Sequence, residues 1–234
     1  MNKTAVVTGA SRGIGREVAG ELSKEGYRVI MGVRVPAEAP KVKDGLAEAL
    51  DMSSAESIDA FARRLSERGE KLDVLINNAA INRSPAKEVW NVNVRGPLRL
   101  TRALEPLLTE GARVVMVSSG MGRSSAQDPK LMERLRKIHT LDDFEALSDD
   151  APGDYGASKA ALNRMSELFA EAFKARHVLV NAISPGWVRT DMGGAGAPRT
   201  LEQGAGSILW GVRLGKDGAT GGFFEDGKAI EGKR

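Results

Sequence analysis

The sequence predicts an α/β fold, a doubly wound parallel sheet of seven strands with helices on both faces. Three observations carry this. Apolar runs of strand length alternate along the chain with segments whose apolar residues recur at helical spacing. The first run, Thr4-Ala5-Val6-Val7, enters a glycine-rich turn and then a helical stretch. The 234 residues, 41% hydrophobic and 28% charged, suffice for one core and read as a single domain over 1–234.

Composition removes several classes of function. With no cysteine there is no disulfide, no thiolate nucleophile and no cysteine-based zinc site. The two histidines, His139 and His177, do not form a ligand pair, so no metal is expected. No apolar run is long enough to cross a bilayer, and the chain opens directly into a strand. The expectation is no membrane and a cytoplasmic location. The net charge of +3 is mild. The basic cluster Arg134-Leu135-Arg136-Lys137 is followed by Asp142-Asp143-Phe144-Glu145, which reads as a solvated helix face rather than a nucleic-acid surface.

Taken in order, Thr4–Val7 suits a strand buried on both faces. It runs into Thr8-Gly9-Ala10-Ser11-Arg12-Gly13-Ile14-Gly15, and Val18, Ala19 and Leu22 then mark a helix packed on the sheet. Strand, glycine turn and helix start make a phosphate cradle. Glycines let the backbone approach a ligand, and the helix N-terminus offers free N–H groups and partial positive charge. This is the unit of a dinucleotide-binding fold. Tyr27–Gly32 reads as the second strand, followed by Val33 and Arg34. NAD binding places an acid near that point, whereas an arginine accommodates the 2′-phosphate of NADP. Val33 binds no hydroxyl, Arg34 pairs with phosphate, and Arg12 supplies a second cation, so NADPH/NADP+ is the expected cofactor. The alternative is that both are ordinary surface arginines.

Pro36 and Pro40 make the next crossover short or irregular. Leu46–Leu50 reads as the third strand, ending at Asp51-Met52. Ser53-Ser54-Ala55-Glu56 matches a capping box ahead of a helix with Ile58, Phe61, Ala62 and Leu65 inward. Leu72–Ile76 is the fourth strand and enters Asn77-Asn78-Ala79-Ala80. A long helical stretch follows, with Val89, Leu100, Leu104, Leu107 and Leu108 buried and a disturbance expected at Pro97. Arg113–Val117 is a buried strand ending in Ser118-Ser119-Gly120, and Val178–Ile183 is the sixth. Gly193–Ala197 reads as a hinge, and Gly221–Gly227 as a short last strand and turn before a frayed charged tail.

Between them lies Tyr155-Gly156-Ala157-Ser158-Lys159. On a helix, Tyr155 and Lys159 share a face. A free phenol titrates near ~10, and a fixed positive charge beside it lowers that value. The pair is a candidate proton donor to a carbonyl oxygen.

Thr-Gly-x-x-x-Gly-x-Gly together with Tyr-x-x-x-Lys resembles the short-chain dehydrogenase/reductase family, and the resemblance spans nearly the whole chain. It implies a Rossmann-type sheet. It also implies four catalytic residues: Tyr155 and Lys159, Ser119 as the second serine at the strand end, and Asn93 from Asn-x-x-Gly, where a water links the backbone to Lys159. For the cofactor it implies Gly9, Ser11, Arg12, Gly13, Ile14, Gly15, Arg34, Asp51, Met52, Asn78, Ala79, Val188 and Thr190, besides Tyr155 and Lys159. Asp51 is assigned to the adenine amino group, or else caps the next helix. Ala80 departs from the family's Asn-Asn-Ala-Gly, and its methyl crowds the cofactor if the site needs positive φ.

The gap from Ser119 to Tyr155 holds 35 residues, longer than in most members. Asp128-Pro129 starts one helix there, with Leu131, Leu135 and Ile138 as its apolar stripe. Thr140-Leu141-Asp142-Asp143 starts a second, with Leu141, Phe144 and Leu147 inward. This helical insertion, 123–150, resembles that of the monomeric carbonyl reductase branch, as does Ser184-Pro185-Gly186-Trp187-Val188-Arg189-Thr190-Asp191-Met192. The resemblance implies a monomer whose insertion covers the dimer face; otherwise the insertion is a lid that leaves that face open. It implies an NADPH-dependent reductase of a small carbonyl compound, with Tyr155 as proton donor. The alternatives are the same reaction run as alcohol oxidation, and a non-catalytic NADP-binding sensor. Apolar Ile81, Met121, Trp187 and Met192 are candidate pocket residues for a hydrophobic ketone, aldehyde or quinone, although Trp187 and Met192 serve packing equally well.

Overall fold

The computed structural model describes residues 3–147 and 153–231. Its strands are β1 (Thr4–Thr8), β2 (Arg28–Val33), β3 (Gly45–Ala49), β4 (Leu72–Asn77), β5 (Leu108–Val117), β6 (Leu179–Ser184), β7 (Phe223–Glu225) and β8 (Lys228–Glu231). They form one sheet in the order β3-β2-β1-β4-β5-β6-β7-β8. All pairs are parallel except the last, β7 with β8. The chain moves outward from β1 through β2 to β3, then returns to β4 on the other side. The C-terminal ends of β1 and β4 therefore flank the topological switch point, where such sheets bind ligands.

The sheet has eight strands, one more than expected. The extra strand comes from the Asp226-Gly227 pair. Both residues have positive φ, 50° and 76°. That is the geometry of a two-residue hairpin turn, which Asp-Gly favours. Residues expected to fray therefore pair as β8; 232–234 lie outside the described residues.

The helices are α1 (Gly13–Lys24), α2 (Ala55–Glu67), α3 (Ala86–Trp90), α4 (Gly96–Leu104), α5 (Pro129–Arg136), α6 (Leu141–Leu147), α7 (Tyr155–Ala172) and α8 (Leu201–Val212). Helices α1 and α8 cover one face of the sheet, where Val18, Leu22, Ile208 and Leu209 pack on Val7, Val29, Val115 and Ile183. Helices α2, α4 and α7 cover the other, where Phe61, Leu65, Leu100, Leu104, Met165 and Phe169 pack on Val6, Ile30, Leu75 and Val114. Burying each of these large side chains contributes roughly 1.5–3 kcal/mol.

The crossover after β2 is irregular, a single 3₁₀ turn at Pro36–Glu38. Strands β2 and β3 each lie within a residue of their expected ends. The expected capping box at Ser53 does not form. Ser54 is the N-cap of α2 and accepts from the Ser57 amide at 3.1 Å, while the Ser53 hydroxyl donates to Asp51 at 2.7 Å. The cap thus sits one residue later than expected, and Ser53 is turned to Asp51 instead.

The long helical stretch is broken twice. A π-helical turn spans Asn91–Arg95, immediately before Pro97 in the first turn of α4. Proline has no N–H to give the Asn93 carbonyl, so α-helical bonding cannot continue across it. Pro106 lies in a 3₁₀ turn, Glu105–Leu107, and Leu108 opens β5 instead of extending the helix. Both leucines are buried as expected, but on different elements.

Helix α5 starts at Pro129 with Asp128 as N-cap, accepting from Lys130 N at 2.7 Å. Leu131, Leu135, Ile138, Phe144 and Leu147 join the core cluster shared with α7. Arg102 of α4 pairs with Asp142 and Glu145 of α6 at 2.5 and 3.0 Å, and Arg164 of α7 donates to the Ile138 carbonyl at 2.6 Å. Residues 148–150 of the expected insertion lie outside the described residues.

Candidate active site

The site is built at the C-terminal ends of β1, β4 and β5. At β1 the chain turns through Gly9, at φ +66°, into α1. A methyl on Gly15 would lie 2.5 Å from the Gly9 carbonyl oxygen, so only glycine allows this close approach. Gly13, at φ +56°, opens α1. The nearest atom to a methyl placed there is Thr190 Cγ2 at 3.6 Å, across a groove between α1 and the loop after β6. The N-cap of α1 is Arg12, whose side chain makes no capping bond. By contrast Ser54, Asp128, Asp154 and Thr200 cap α2, α5, α7 and α8 with side-chain oxygens. The first amides of α1 therefore face the groove without a side-chain acceptor, which suits an anion such as a diphosphate.

Thr8 and Asn78 hold the cradle to β4. Thr8 Oγ1 accepts from the Asn78 and Ala79 amides, both at 2.9 Å. Asn78 Nδ2 donates to the Thr8 carbonyl at 2.8 Å. Glycine spacing does not single out Thr8, although a hydroxyl at the last residue of a strand before a glycine turn is a recognisable tie. Ala80 is not among the non-glycine residues at positive φ, which are Asp44, His177 and Asp226 among those described. The feared crowding therefore has no conformational basis.

At β5 the chain ends in Ser118 and Ser119. Ser119 has extended backbone and caps a 3₁₀ turn, Gly120–Gly122, its Oγ accepting from Met121 N at 3.2 Å. The Ser119 side chain lies near enough to the Tyr155 phenol to favour its ionised form. Tyr155 is the first residue of α7, and Asp154 Oδ1 closes that turn by accepting from Ala157 N at 3.1 Å. Lys159 follows one turn later, 2% exposed. Its Nζ donates to the Val117 carbonyl at 2.7 Å and lies 5.4 Å from the Tyr155 ring centre.

The electrostatics differ from the expectation that Lys159 lowers the tyrosine pKa. Burial pushes the Tyr155 phenol up to about 12, and the Ser119 side chain pulls it only partly back. Burial also brings Lys159 down to about 7. Desolvation disfavours the charged form of each, so the lysine carries less charge with which to favour a phenolate. At neutral pH the tyrosine is a protonated donor.

The short chain dehydrogenase family model matches residues 3–128, more than half of the chain. The chain belongs to the short-chain dehydrogenase/reductase family. A second model, described as enoyl-(acyl carrier protein) reductase, matches residues 144–211. Carbonyl reductase [NADPH] 1 of Sus scrofa is 31% identical, covering 98% of this chain and 94% of that protein. Among solved structures, the NADPH-bound carbonyl reductase from chicken fatty liver superposes with a TM-score of 0.77 at 26% identity, covering 98% of this chain and 94% of that one. Salutaridine reductase from Papaver somniferum shares the fold, with a TM-score of 0.85 at 23% identity over 96% of this chain and all of that one.

Within this short-chain dehydrogenase, Asn93 is 1% exposed. Its side chain pairs with both backbone groups of Ile81 at 2.9 Å and donates to Ser158 Oγ at 3.1 Å. It joins the β4 loop, the π turn and α7. The nearby Asn91 instead donates to the Ser53 carbonyl at 3.4 Å, outside the site. Arg34 and Asp51 stand at the ends of β2 and β3. The Asp51 carboxyl lies below its usual pKa because of Ser53, with a further contribution from Arg34. Asp51 is not the cap of α2. Met52 is buried against Gly96.

Arg12 pairs with Asp191 at 3.0 Å, so the glycine turn and the loop after β6 are linked across the groove. On that loop Val188 is buried, and Thr190 Oγ1 accepts from Gly193 N at 3.0 Å. Trp187 and Met121 are 60% and 57% exposed, and Trp187 Nε1 donates to the Gly193 carbonyl at 2.9 Å. Both are large apolar side chains left in water, and Met121 lies two residues beyond Ser119. Met192 is partly buried on the same loop, and Ile81 is partly buried at the β4 end.

Proposed function

We propose that the chain is an NADPH-dependent carbonyl reductase that converts a hydrophobic ketone, aldehyde or quinone to an alcohol. The convergence of Ser119 and Tyr155 carries this reading, with buried Lys159 one turn beyond, its Nζ 5.4 Å from the Tyr155 ring centre. The uncapped start of α1 and the glycine cradle fit a dinucleotide diphosphate. Arg34 and Arg12 would hold the 2′-phosphate, Asp51 and Met52 the adenine, and the backbone near Asn78 and Ala79 a ribose. Val188 and Thr190 would hold the nicotinamide carboxamide, and Lys159 its ribose. The name of the pig relative and the NADPH-bound chicken structure support that choice.

The bound cofactor would supply a hydride to the carbonyl carbon. Ser119 and Tyr155 would donate hydrogen bonds to the carbonyl oxygen and hold it in line. Tyr155 then gives its proton to the oxygen as the alkoxide forms. The phenol is protonated at neutral pH and so holds the proton to be given. Asn93 would support the route by which Tyr155 is reprotonated. Met121, Trp187 and Met192 would form the apolar wall against the substrate. The proposal includes a single domain over 1–234 and a monomer, since α5 and α6 lie over α4 and α7 through Arg102 and Phe144. It includes a cytoplasmic location, which rests on the sequence alone.

The test follows oxidation of NADPH and, separately, NADH against aromatic ketones, aldehydes and quinones. The expected result is turnover with NADPH and weak turnover with NADH. NADPH binding without turnover on any carbonyl favours the sensor reading. A preference for NADH removes the phosphate role of Arg34 and Arg12.

A further inference from the structure

We infer that Asn163 is a positioning residue for this reaction: it clamps the turn that carries Ser119 onto the helix that carries Tyr155. The inference rests on the roles proposed above for Ser119 and Tyr155. Asn163 lies four residues beyond Lys159 and eight beyond Tyr155, so all three share one face of α7. Its side chain is used at both ends. Oδ1 accepts from Ser118 Oγ at 2.5 Å, and Nδ2 donates to the Gly122 carbonyl at 3.0 Å. Ser118 and Gly122 bracket the turn, and Ser119 lies between them.

The backbone ties of this turn hold its ends to the sheet or close it on itself. The Ser118 amide donates to the Ile183 carbonyl at 2.8 Å, and the Gly122 amide donates back to the Ser119 carbonyl at 2.8 Å. Gln127 Nε2 donates to the Met121 carbonyl at 2.6 Å from outside. Gly122 presses on α7 so closely that a methyl there would lie 2.8 Å from the Lys159 carbonyl carbon. The second acceptor near Ser118 Oγ, the Lys159 carbonyl, is at 3.5 Å, the edge of hydrogen-bond range. Asn163 thus sets the separation between the Ser119 hydroxyl and the Tyr155 phenol. A primary amide suits this because the turn presents one donor and one acceptor; a carboxylate answers only the donor. Misplacing a reacting group by about 1 Å costs on the order of a hundredfold in rate.

The test uses Asn163→Ala, Asn163→Asp and Ser118→Ala in the full chain, with acetophenone and 1,4-benzoquinone as probes and Tyr155→Phe as reference. Amide exchange of Gly122 is followed by NMR. In Asn163→Ala, Gly122 exchange is expected to accelerate by roughly tenfold while that of α7 is unchanged. The value of kcat is expected to fall ~10–100-fold, with KM within about threefold and NADPH affinity within about twofold. Asn163→Asp, which keeps the Ser118 bond, recovers part of kcat. Ser118→Ala combined with Asn163→Ala is no worse than the poorer single variant.

Unchanged Gly122 exchange overturns the clamp whether or not either probe is a substrate. Faster exchange with unchanged kcat, in a protein that Tyr155→Phe inactivates, overturns the positioning role and leaves the proposed function standing. Full activity of Tyr155→Phe overturns the proposed function, and with it any positioning role for Asn163.

Discussion

Helices α1 and α7 both begin at the C-terminal edge of the sheet, but their first turns are finished differently. The start of α1 has Arg12 at its N-cap and no side-chain acceptor for its amides. The start of α7 is closed by Asp154 and carries Tyr155 as its first residue. An open turn can take up a ligand anion; a closed one holds a side chain still. The contrast continues further along the two helices. Helix α7 buries a cation, Lys159, whereas the buried residues of α1 are Gly15, Val18, Ala19, Leu22 and Ser23. On the proposed function one helix serves binding and the other chemistry, and substitutions at each should separate the two.

The largest effect is expected from Tyr155→Phe. It should lower kcat by ~10²–10⁴-fold while NADPH affinity, measured by fluorescence titration, stays within about threefold. A parallel loss of affinity would place α7 in binding as well. Next is the charge buried on α7. The folded pKa of Lys159 is about 7, below its unfolded value of 10.5. Between those values the unfolded chain holds the proton and the folded chain does not, so stability rises with pH across that window. The Tyr155 shift, upward to about 12, acts oppositely above pH ~10. Melting temperature measured from pH 7 to 9.5 should therefore climb, and Lys159→Met should flatten the climb. An unchanged slope would mean that the lysine is solvated.

Gly13→Ala strikes α1. A side chain at φ +56° costs roughly 1–2 kcal/mol and intrudes on the groove toward Thr190. The expected readout is weaker binding of NADPH and NADH alike, with kcat at saturation nearly retained. The smallest effect is Asp154→Ala. Loss of the cap should cost roughly 0.5–2 kcal/mol by denaturant titration. If α7 needs its closed turn to hold Tyr155, kcat falls more than that stability loss implies.

The two ends of the site were also unequally legible. The α1 cradle is local: strand, glycines and helix are consecutive, so periodicity and spacing disclosed it together with its bounds. Asp128-Pro129 was legible for the same reason, since a cap and a first-turn proline act within three residues. The chemistry of α7 was half legible. Tyr155 and Lys159 are one turn apart, but their partners come from β5 and the π turn. Thus the family pattern pointed to Asn93, but its bonds to Ile81 and Ser158, which Asn91 lacks, are visible only in the fold. The charge beside Tyr155 is visible in the sequence, whereas the burial that raises its pKa is not.

By itself the sequence determined the α/β class, the order of the parallel strands' segments and the strand, glycine turn and helix at the start of the chain, and it singled out Ser119, Tyr155 and Lys159 as candidates. Backbone conformation, apolar periodicity and i,i+4 spacing are properties of neighbours in the chain, so composition and order suffice to state them. The tertiary structure decided the rest. It split Leu107 and Leu108 between a turn and a strand, linked Arg12 to Asp191, and set Asn163 across the turn of Ser119. Each of these depends on hydrogen-bond geometry or burial between segments far apart in sequence. Such contacts are fixed by how the layers pack and leave no periodic trace in the residues that make them.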